Sequence, residues 1–260
     1  GVTFTTCQKS RLTHGFVVLF DRKPNLLKMD VMQRQSVISE HGGPKQHYFS
    51  PYSDNGGSVV AIAGEDFAVI ASDTRLSAGH SIYTRDQSKL FKLSDKCILG
   101  TGGCWCDILT FTRFLEARMK MYLHEHHKPM STPAVAQLII TMLYHKRFFP
   151  YYISNILAGL DEEGKGCIYC YDPIGHCERV EYRSGGSSSA LLQPLLDNQA
   201  TKSNQQGVVA TPPTRERAIA IIKDVFISAA ERDIYTGDSV IVNIIDKDGV
   251  HEERFPLRRD

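Results

Sequence analysis

The order of its apolar segments predicts that this chain has an α+β fold, a four-layer αββα sandwich with two antiparallel sheets inside and helices outside. Strand-like segments occur in three groups, and a pair of helical segments separates each group from the next. Runs of this kind favour antiparallel sheets with segregated helices over a parallel sheet. The chain has 260 residues, of which 42% are hydrophobic, so it can bury both faces of two sheets.

The first fifty residues differ from the rest of the chain. They mix charges, glycines and prolines without a sustained period of about 2 or 3.6 residues, which is typical of a flexible leader. Dense patterning begins at Tyr52 and continues to the end. We therefore predict a flexible leader or prosegment at residues 1–51 and one folded domain at residues 52–260.

The predicted domain opens with a β-hairpin. Two apolar strands at 58–63 and 67–73 flank the turn residues 64–66, a combination that indicates paired antiparallel strands. A further short strand is predicted at 97–100, just before the glycine pair 102–103.

Two helices are predicted to follow. In the first, apolar residues recur at steps of three and four and form one stripe: Ile108, Phe111, Leu115, Met119 and Tyr122. The second is predicted to begin with Thr132 as its N-cap and Pro133 at its first helical position. Its predicted core residues are Val135, Leu138, Ile139 and Met142.

The second half of the domain repeats this order of strands, helices and strands. A helix is predicted from Thr214 to about Arg232, with Ile219, Ile222, Phe226 and Ala229 on one face. The other predicted elements are strands at 152–160 and 166–171, a helix at 188–198 that contains the helix-breaking Pro194, and a final hairpin of strands 239–246 and 250–256.

Composition argues against several classes of function. The formal net charge of +1 supplies no field to attract nucleic acid or an anionic membrane. The basic residues Arg254, Arg258 and Arg259 are interpreted as solvated surface. No segment approaches the roughly 20 apolar residues that cross a bilayer, and the apolar run 15–20 is too short for a signal-peptide core. We expect no nucleic-acid or membrane partner.

Cysteines and histidines raise the question of a metal site. The seven cysteines include Cys167 and Cys170 at ligand-like spacing, followed by Cys177. However, residues 166–171 are predicted to form a strand, and positions three apart on a strand face opposite sides. The histidines His124, His126 and His127 fall at a predicted helix end, where cations suit the helix dipole. We therefore predict no metal site and no cofactor, and reduced thiols.

Several motifs carry a resemblance to a known family. Residues 56–63 read Gly-Gly-Ser-Val-Val-Ala-Ile-Ala, and residues 71–75 read Ala-Ser-Asp-Thr-Arg. Ser88-Lys89 follows, and residues 232–238 read Arg-Asp-Ile-Tyr-Thr-Gly-Asp. In this order, and over essentially all of residues 52–260, the chain resembles the β subunits of the proteasome core particle, whose fold is that of the N-terminal nucleophile hydrolases.

Some segments resemble one family member in particular, the β subunit at the sixth position of the ring. These segments are residues 148–152, 159–166, 192–199 and 223–233. The resemblance implies partners, namely the other α and β subunits of a four-ring particle of 28 subunits that degrades proteins in an ATP- and ubiquitin-dependent pathway. It also implies a location in the cytoplasm and the nucleus.

The resemblance also implies roles for single residues. In active members, a threonine becomes N-terminal by self-cleavage, and its hydroxyl attacks while its own amine acts as base. A lysine, two aspartates and a serine support it. Here the hairpin aspartate corresponds to Asp73, the lysine to Lys89 and the loop aspartate to Asp233, whereas Thr236 replaces the serine.

The nucleophile position itself is occupied by glycine. The family places the threonine sixteen residues before the hairpin aspartate, and sixteen residues before Asp73 stands Gly57. Gly186 likewise stands where active members carry an assisting serine. The resemblance thus implies a non-catalytic, structural subunit with no catalytic residue, in which Asp73, Lys89, Asp233 and Thr236 are a vestigial relay kept for structure.

One alternative is an N-terminal serine hydrolase. Cleavage after Gly57 would give Ser58 a free amine next to its hydroxyl. The register argues against this use of Ser58, because a shift of one residue along a strand turns the side chain to the opposite face.

Overall fold

The computed structural model describes residues 50–202, 204, 205, 207 and 212–259. Apart from Ser50 and Pro51, the predicted leader lies outside the described residues. The described helices are α1 Trp105–His126, α2 Thr132–His145, α3 Ser189–Gln199 and α4 Arg215–Ala230. The described strands are β1 Ser58–Ala63, β2 Ala68–Asp73, β3 Leu76–Ala78, β4 Ser81–Thr84, β5 Leu90–Ser94, β6 Cys97–Gly103, β7 Ile153–Leu160, β8 Gly166–Tyr171, β9 Cys177–Val180, β10 Tyr182–Gly186, β11 Ser239–Asp246 and β12 Gly249–Pro256.

Ten of these strands form two five-stranded sheets. The first sheet has the order β10-β1-β2-β11-β12, and the second has the order β5-β6-β7-β8-β9. Every neighbouring pair is antiparallel. The two remaining described strands, β3 and β4, pair as a separate hairpin.

Three apolar layers hold the elements together. The first sheet packs one face against α3 and α4, through residues such as Val60, Val242 and Phe226. Its other face packs against the second sheet, where Ile70 and Ile156 meet. The outer face of the second sheet packs against α1 and α2. The order helix, sheet, sheet, helix confirms the predicted αββα sandwich.

Successive side chains of a strand point to opposite faces of the sheet, so strands that are apolar throughout make both faces apolar. On β1, Val60 and Ile62 face the helices, whereas Val59 and Ala61 face the other sheet. Side chains on a strand alternate in this way, so a continuously apolar strand indicates a sheet that is covered on both faces.

Helix starts differ in detail from the prediction. The N-cap of α2 is Ser131, not Thr132, and Pro133 is the second helical residue. The Thr132 hydroxyl instead donates a 2.6 Å hydrogen bond to the carbonyl oxygen of Leu160, because the helix begins directly above β7. On α4 the prediction is confirmed: Thr214 is the N-cap, and its side chain accepts a hydrogen bond from the main-chain nitrogen of Arg217.

The sequence patterns missed five strands. Strands β3, β4 and β9 have three or four residues and β5 and β10 have five, too few for a period of two to stand out. Among the described helices, none is long and apolar enough to cross a membrane.

Candidate functional site

The candidate site lies where the ends of several elements converge. Gly57 precedes β1, Asp73 ends β2, and Lys89 precedes β5. Gly186 ends β10 directly opposite Ser58, because β1 pairs with β10 as well as with β2. The loop between α4 and β11 adds Asp233 and Thr236. The sheet pairing therefore brings together the residues that the sequence singled out.

Asp73 and Lys89 form a buried ion pair. The Lys89 Nζ lies 2.9 Å from Asp73 Oδ1, and the two side chains are 1% and 0% exposed. The ammonium also donates to the carbonyl oxygens of Asp73 at 3.0 Å and Arg75 at 2.7 Å. Its three hydrogens therefore meet three acceptors.

Main-chain donors complete the shell of the Asp73 carboxylate. The nitrogen of Ser58 donates to Oδ1 at 2.9 Å, and the nitrogen of Arg75 donates to Oδ2 at 3.2 Å. Burial raises the pKa of Asp73 above its ordinary value, and Lys89 with the two amides acts in the opposite direction. A carboxylate in such a position ties β1 to the turn after β2.

At Gly57 the lysine occupies the space of the missing side chain. A Cβ added to Gly57 would lie 2.7 Å from Lys89 Cδ and 3.0 Å from its Nζ. Gly57 also has a φ of +95°, a conformation that residues with a side chain rarely adopt. The position therefore carries no hydroxyl, and a side chain there would require Lys89 to shift.

Gly186 is equally crowded. A Cβ there would collide with the carbonyl oxygen of Gly57, and Gly186 also has a positive φ of +90°. The next residue, Ser187, carries a hydroxyl and makes two hydrogen bonds at this place. Its nitrogen donates to the Gly57 carbonyl at 3.0 Å, and its Oγ donates to Asp233 Oδ2 at 2.7 Å.

Ser58 points away from the lysine, as the register predicts. Its hydroxyl is fully buried and contacts the hydroxyls of Ser188 and of Thr236, the latter at 2.7 Å. Thr236 in turn donates to Asp233 Oδ2 at 2.7 Å.

The directions of these hydrogen bonds follow from the Asp233 carboxylate, at which the series ends. A carboxylate only accepts, so Thr236 gives its single hydrogen to Asp233 and must accept from Ser58. Ser58 thus donates to Thr236 and accepts from the Ser188 hydroxyl. Hydrogen bonds thus lead from Ser188 through Ser58 and Thr236 to Asp233. The hydroxyl hydrogen of Ser58 is engaged in this series.

An arginine clamp holds the loop that carries Asp233 and Thr236. Asp238 accepts from Arg75 Nε at 2.8 Å and from Arg85 Nη1 at 2.6 Å. Burial alone would raise the pKa of Asp238, but the hydrogen bonds and charges of the two arginines outweigh it and hold the pKa below its ordinary value.

The chain before Gly57 is part of the fold. Asn55 is buried, and its Oδ1 accepts from the main-chain nitrogen of Trp105 at the start of α1. The Tyr52 hydroxyl donates to the carbonyl oxygen of Pro150 at 2.8 Å. The nitrogen of Gly57 is therefore a peptide nitrogen inside a packed segment.

Comparison with known proteins agrees with this geometry. Residues 53–245 match the family described as Proteasome subunit. The chain is 57% identical over 220 residues to Proteasome subunit beta type-1 of Drosophila melanogaster, covering 84% of this chain and 94% of that protein. It is 55% identical over 218 residues to Proteasome subunit beta type-1 of Danio rerio, covering 84% and 92%. Proteasome subunit beta type-6 of Saccharomyces cerevisiae is 42% identical over 226 residues, covering 84% and 94%.

The chain belongs to the proteasome subunit family. It is a β subunit of the core particle, as the resemblance implied. Around Gly57, the structure holds the buried Lys89 with Asp73, and Asp233 with Thr236, in hydrogen-bonded contacts.

The cysteines and histidines that the sequence offered as metal ligands do not come together in this proteasome subunit. The Sγ of Cys167 contacts the Gly159 carbonyl and that of Cys170 contacts Glu178, in keeping with opposite faces of β8. Burial raises the pKa of the Cys167 thiol to about 11. The three histidines at the end of α1 are exposed. Within the described residues, no three metal-ligating side chains gather.

Sequence reasoning missed Ser187 and Ser188 as members of the network. They stand in a serine run directly after the glycines at the end of β10, which is the signal that could have identified them. Their contacts with Asp233 and Ser58 depend on the pairing of β10 with β1, which joins residues about 130 apart in sequence.

Proposed function

We propose that this chain is a proteolytically silent β subunit, which supplies surfaces and rigidity to active neighbours and cleaves no peptide itself. The observation that supports this most directly is Gly57, because the nucleophile position has no side chain and the space beside it is filled by Lys89.

The proposed setting is the sixth position of the β ring in a particle of 28 subunits and four rings, with two copies of this chain. The particle would act in ATP- and ubiquitin-dependent protein degradation in the cytoplasm and nucleus, as the resemblance implies.

The serine hydrolase alternative has less support. The Ser58 hydroxyl already donates its hydrogen to Thr236. The main-chain nitrogen of Ser58 donates to Asp73 Oδ1 at 2.9 Å. Lys89 bonds to Asp73 and Arg75 on the other face of the strand. An attack by Ser58 would require this network to be taken apart.

An electrophilic probe for N-terminal threonine proteases tests the proposal. Treated with the probe, the assembled particle should show adducts on other β subunits and none on this chain. An adduct on Ser58, abolished by Ser58→Ala, would establish the serine enzyme and end the silent assignment.

A further inference from the structure

A basic and aromatic surface lies at the C-terminal end of α2, outside the site around Gly57. It consists of Tyr144, Lys146, Arg147, Phe148 and Phe149, and we name it the α2 end surface. All five residues are exposed. The side chain of Phe148 is 98% exposed, and those of Phe149 and Tyr144 are 65% and 57% exposed.

The main chain of the surface and one pair of its side chains are held in place within the chain itself. Consecutive turns after α2 hold its main chain, since the nitrogens of Lys146, Arg147 and Phe149 all donate to carbonyl oxygens three residues earlier. Arg147 Nη1 donates to the Tyr144 hydroxyl at 3.0 Å. Side chains already held in place lose less conformational entropy on binding than free ones.

Arg147 links two of the three aromatic rings of the surface. Its guanidinium carbon lies 5.6 Å from the centre of the Tyr144 ring and 5.8 Å from that of Phe148. On the other side, the Phe149 ring lies 5.8 Å from that of Tyr52. Arginine and aromatic side chains that are held together in this way are typical of the central residues of protein interfaces.

Helix stability does not account for the whole surface. Cations at a helix C-terminus are favoured by the helix dipole, which explains Lys146 and Arg147. It does not explain Phe148, which is almost entirely exposed next to two further exposed rings. Single exposed apolar residues are ordinary, but a contiguous exposed group marks a binding site.

The charge of the surface indicates the chemistry of the partner. Lys146 and Arg147 form no ion pair with any carboxylate in the part of the chain that the structure describes. Two unpaired positive charges beside three aromatic rings match a segment that carries carboxylates around an apolar centre.

We propose that the α2 end surface binds an acidic, apolar segment of a neighbouring subunit in the core particle. The inference rests on the proposed role in assembly. Phe148 enters an apolar recess of the neighbour, and Lys146 and Arg147 pair with carboxylates at the rim of that recess.

Photo-crosslinking in the assembled particle tests which protein covers the surface. A photoreactive phenylalanine analogue replaces Phe148 in the full chain, and the particle is irradiated and analysed by mass spectrometry. We expect one neighbouring subunit to be captured, at a peptide that contains Asp or Glu. Capture of a second copy of this chain, or of no subunit, would overturn the inference.

Competition for incorporation tests the chemistry. A variant and the wild-type chain are expressed together, and their ratio in the particle is measured. We expect Phe148→Ala and Arg147→Glu to be depleted about tenfold, and Phe148→Leu and Arg147→Lys to be depleted much less. A carboxylate-to-lysine change in the captured segment should restore Arg147→Glu. Equal incorporation of all variants contradicts the inference.

The wild-type chain separates this inference from the proposed function. Its share in particles is measured first, against the free chain. If the wild type is absent from particles, both proposals are wrong. If the wild type is present and every variant enters equally well, only the assignment of the α2 end surface is wrong.

Discussion

At the scale of single residues, the clearest feature is a lysine buried as deeply as the apolar core. Lys89 is 1% exposed and ranks with Phe111 and Phe226 among the largest fully buried side chains. A buried cation is tolerated only where its charge and hydrogens are matched. Lys89 meets this condition through Asp73 and two carbonyl oxygens.

Removing the lysine charge should destabilise the chain strongly. Lys89→Met leaves the Asp73 carboxylate buried without its counterion, so we expect the free energy of unfolding to fall by about 3–5 kcal/mol. Urea unfolding of the purified chain measures it. Lys92→Met is the matched control, because Lys92 pairs with Asp95 in solvent, and its effect should be negligible. Equal stability of Lys89→Met and wild type would show that the pair contributes nothing.

Placing a threonine at Gly57 should not create an enzyme. The new side chain would displace Lys89 from its acceptors, and the φ of +95° adds strain of about 1–3 kcal/mol. We expect Gly57→Thr to lose stability and to form no adduct with the electrophilic probe. Gly79→Thr is the control, because Gly79 also has a positive φ but nothing lies within 4 Å of an added Cβ. A probe adduct on the new threonine would refute this account.

At the scale of elements, helix starts show what a local pattern can and cannot predict. Thr214 caps α4 with its side chain, whereas Ser131 begins α2 without a side-chain hydrogen bond. Both residues are of a type that caps helices. Only the surroundings decide which hydroxyl is used, and near α2 it is Thr132 that bonds to Leu160 instead.

The two helix starts should respond differently to alanine. Thr214→Ala removes a hydrogen bond to the first turn of α4, so we expect it to lower the free energy of unfolding by about 0.5–2 kcal/mol. Ser131→Ala removes no such bond, and we expect a smaller change. Urea unfolding of both variants measures the difference. Equal losses at the two positions would contradict the assigned caps.

At the scale of the whole molecule, the segment before Gly57 belongs to the folded domain. Asn55 supports the start of α1 and also donates from Nδ2 to the Ser77 carbonyl at 3.1 Å. Tyr52 packs its ring 5.5 Å from that of Tyr152. Loss of this segment would expose the end of the second sheet and leave buried polar groups unpaired.

The mature chain should therefore begin upstream of Tyr52. Gly57 has no hydroxyl with which to cut the bond before it, so any shortening depends on other subunits and stops before the packed segment. Intact mass and N-terminal sequencing of the native protein in the particle give the answer. A mature chain that begins at Ser58 would contradict this prediction and support the serine enzyme.

Much of the site could be predicted from the sequence, because the resemblance to a known family pointed to Gly57, Asp73, Lys89, Asp233 and Thr236. The alternation of side chains predicts that Ser58 and Gly57 face different neighbours, and in the structure the Ser58 hydroxyl contacts Thr236 whereas a Cβ at Gly57 would meet Lys89. The occupation of the Gly57 space by Lys89 did not follow, because the two residues are 32 positions apart in the chain. Their contact depends on how the two sheets stack, because Gly57 precedes β1 in the first sheet and Lys89 precedes β5 in the second.

The sequence by itself determined the layered fold and the absence of a side chain at Gly57, because both depend on which residue types occur at which positions. Continuously apolar strands specify sheets that are covered on two faces, and a glycine has no hydroxyl in any fold. Tertiary structure alone decided that Lys89 closes the empty position, that Ser58 is held by Ser188 and Thr236, and that Phe148 remains exposed. Each of these depends on groups distant in sequence, or on the lack of a covering element, and packing brings such groups together without leaving a local pattern.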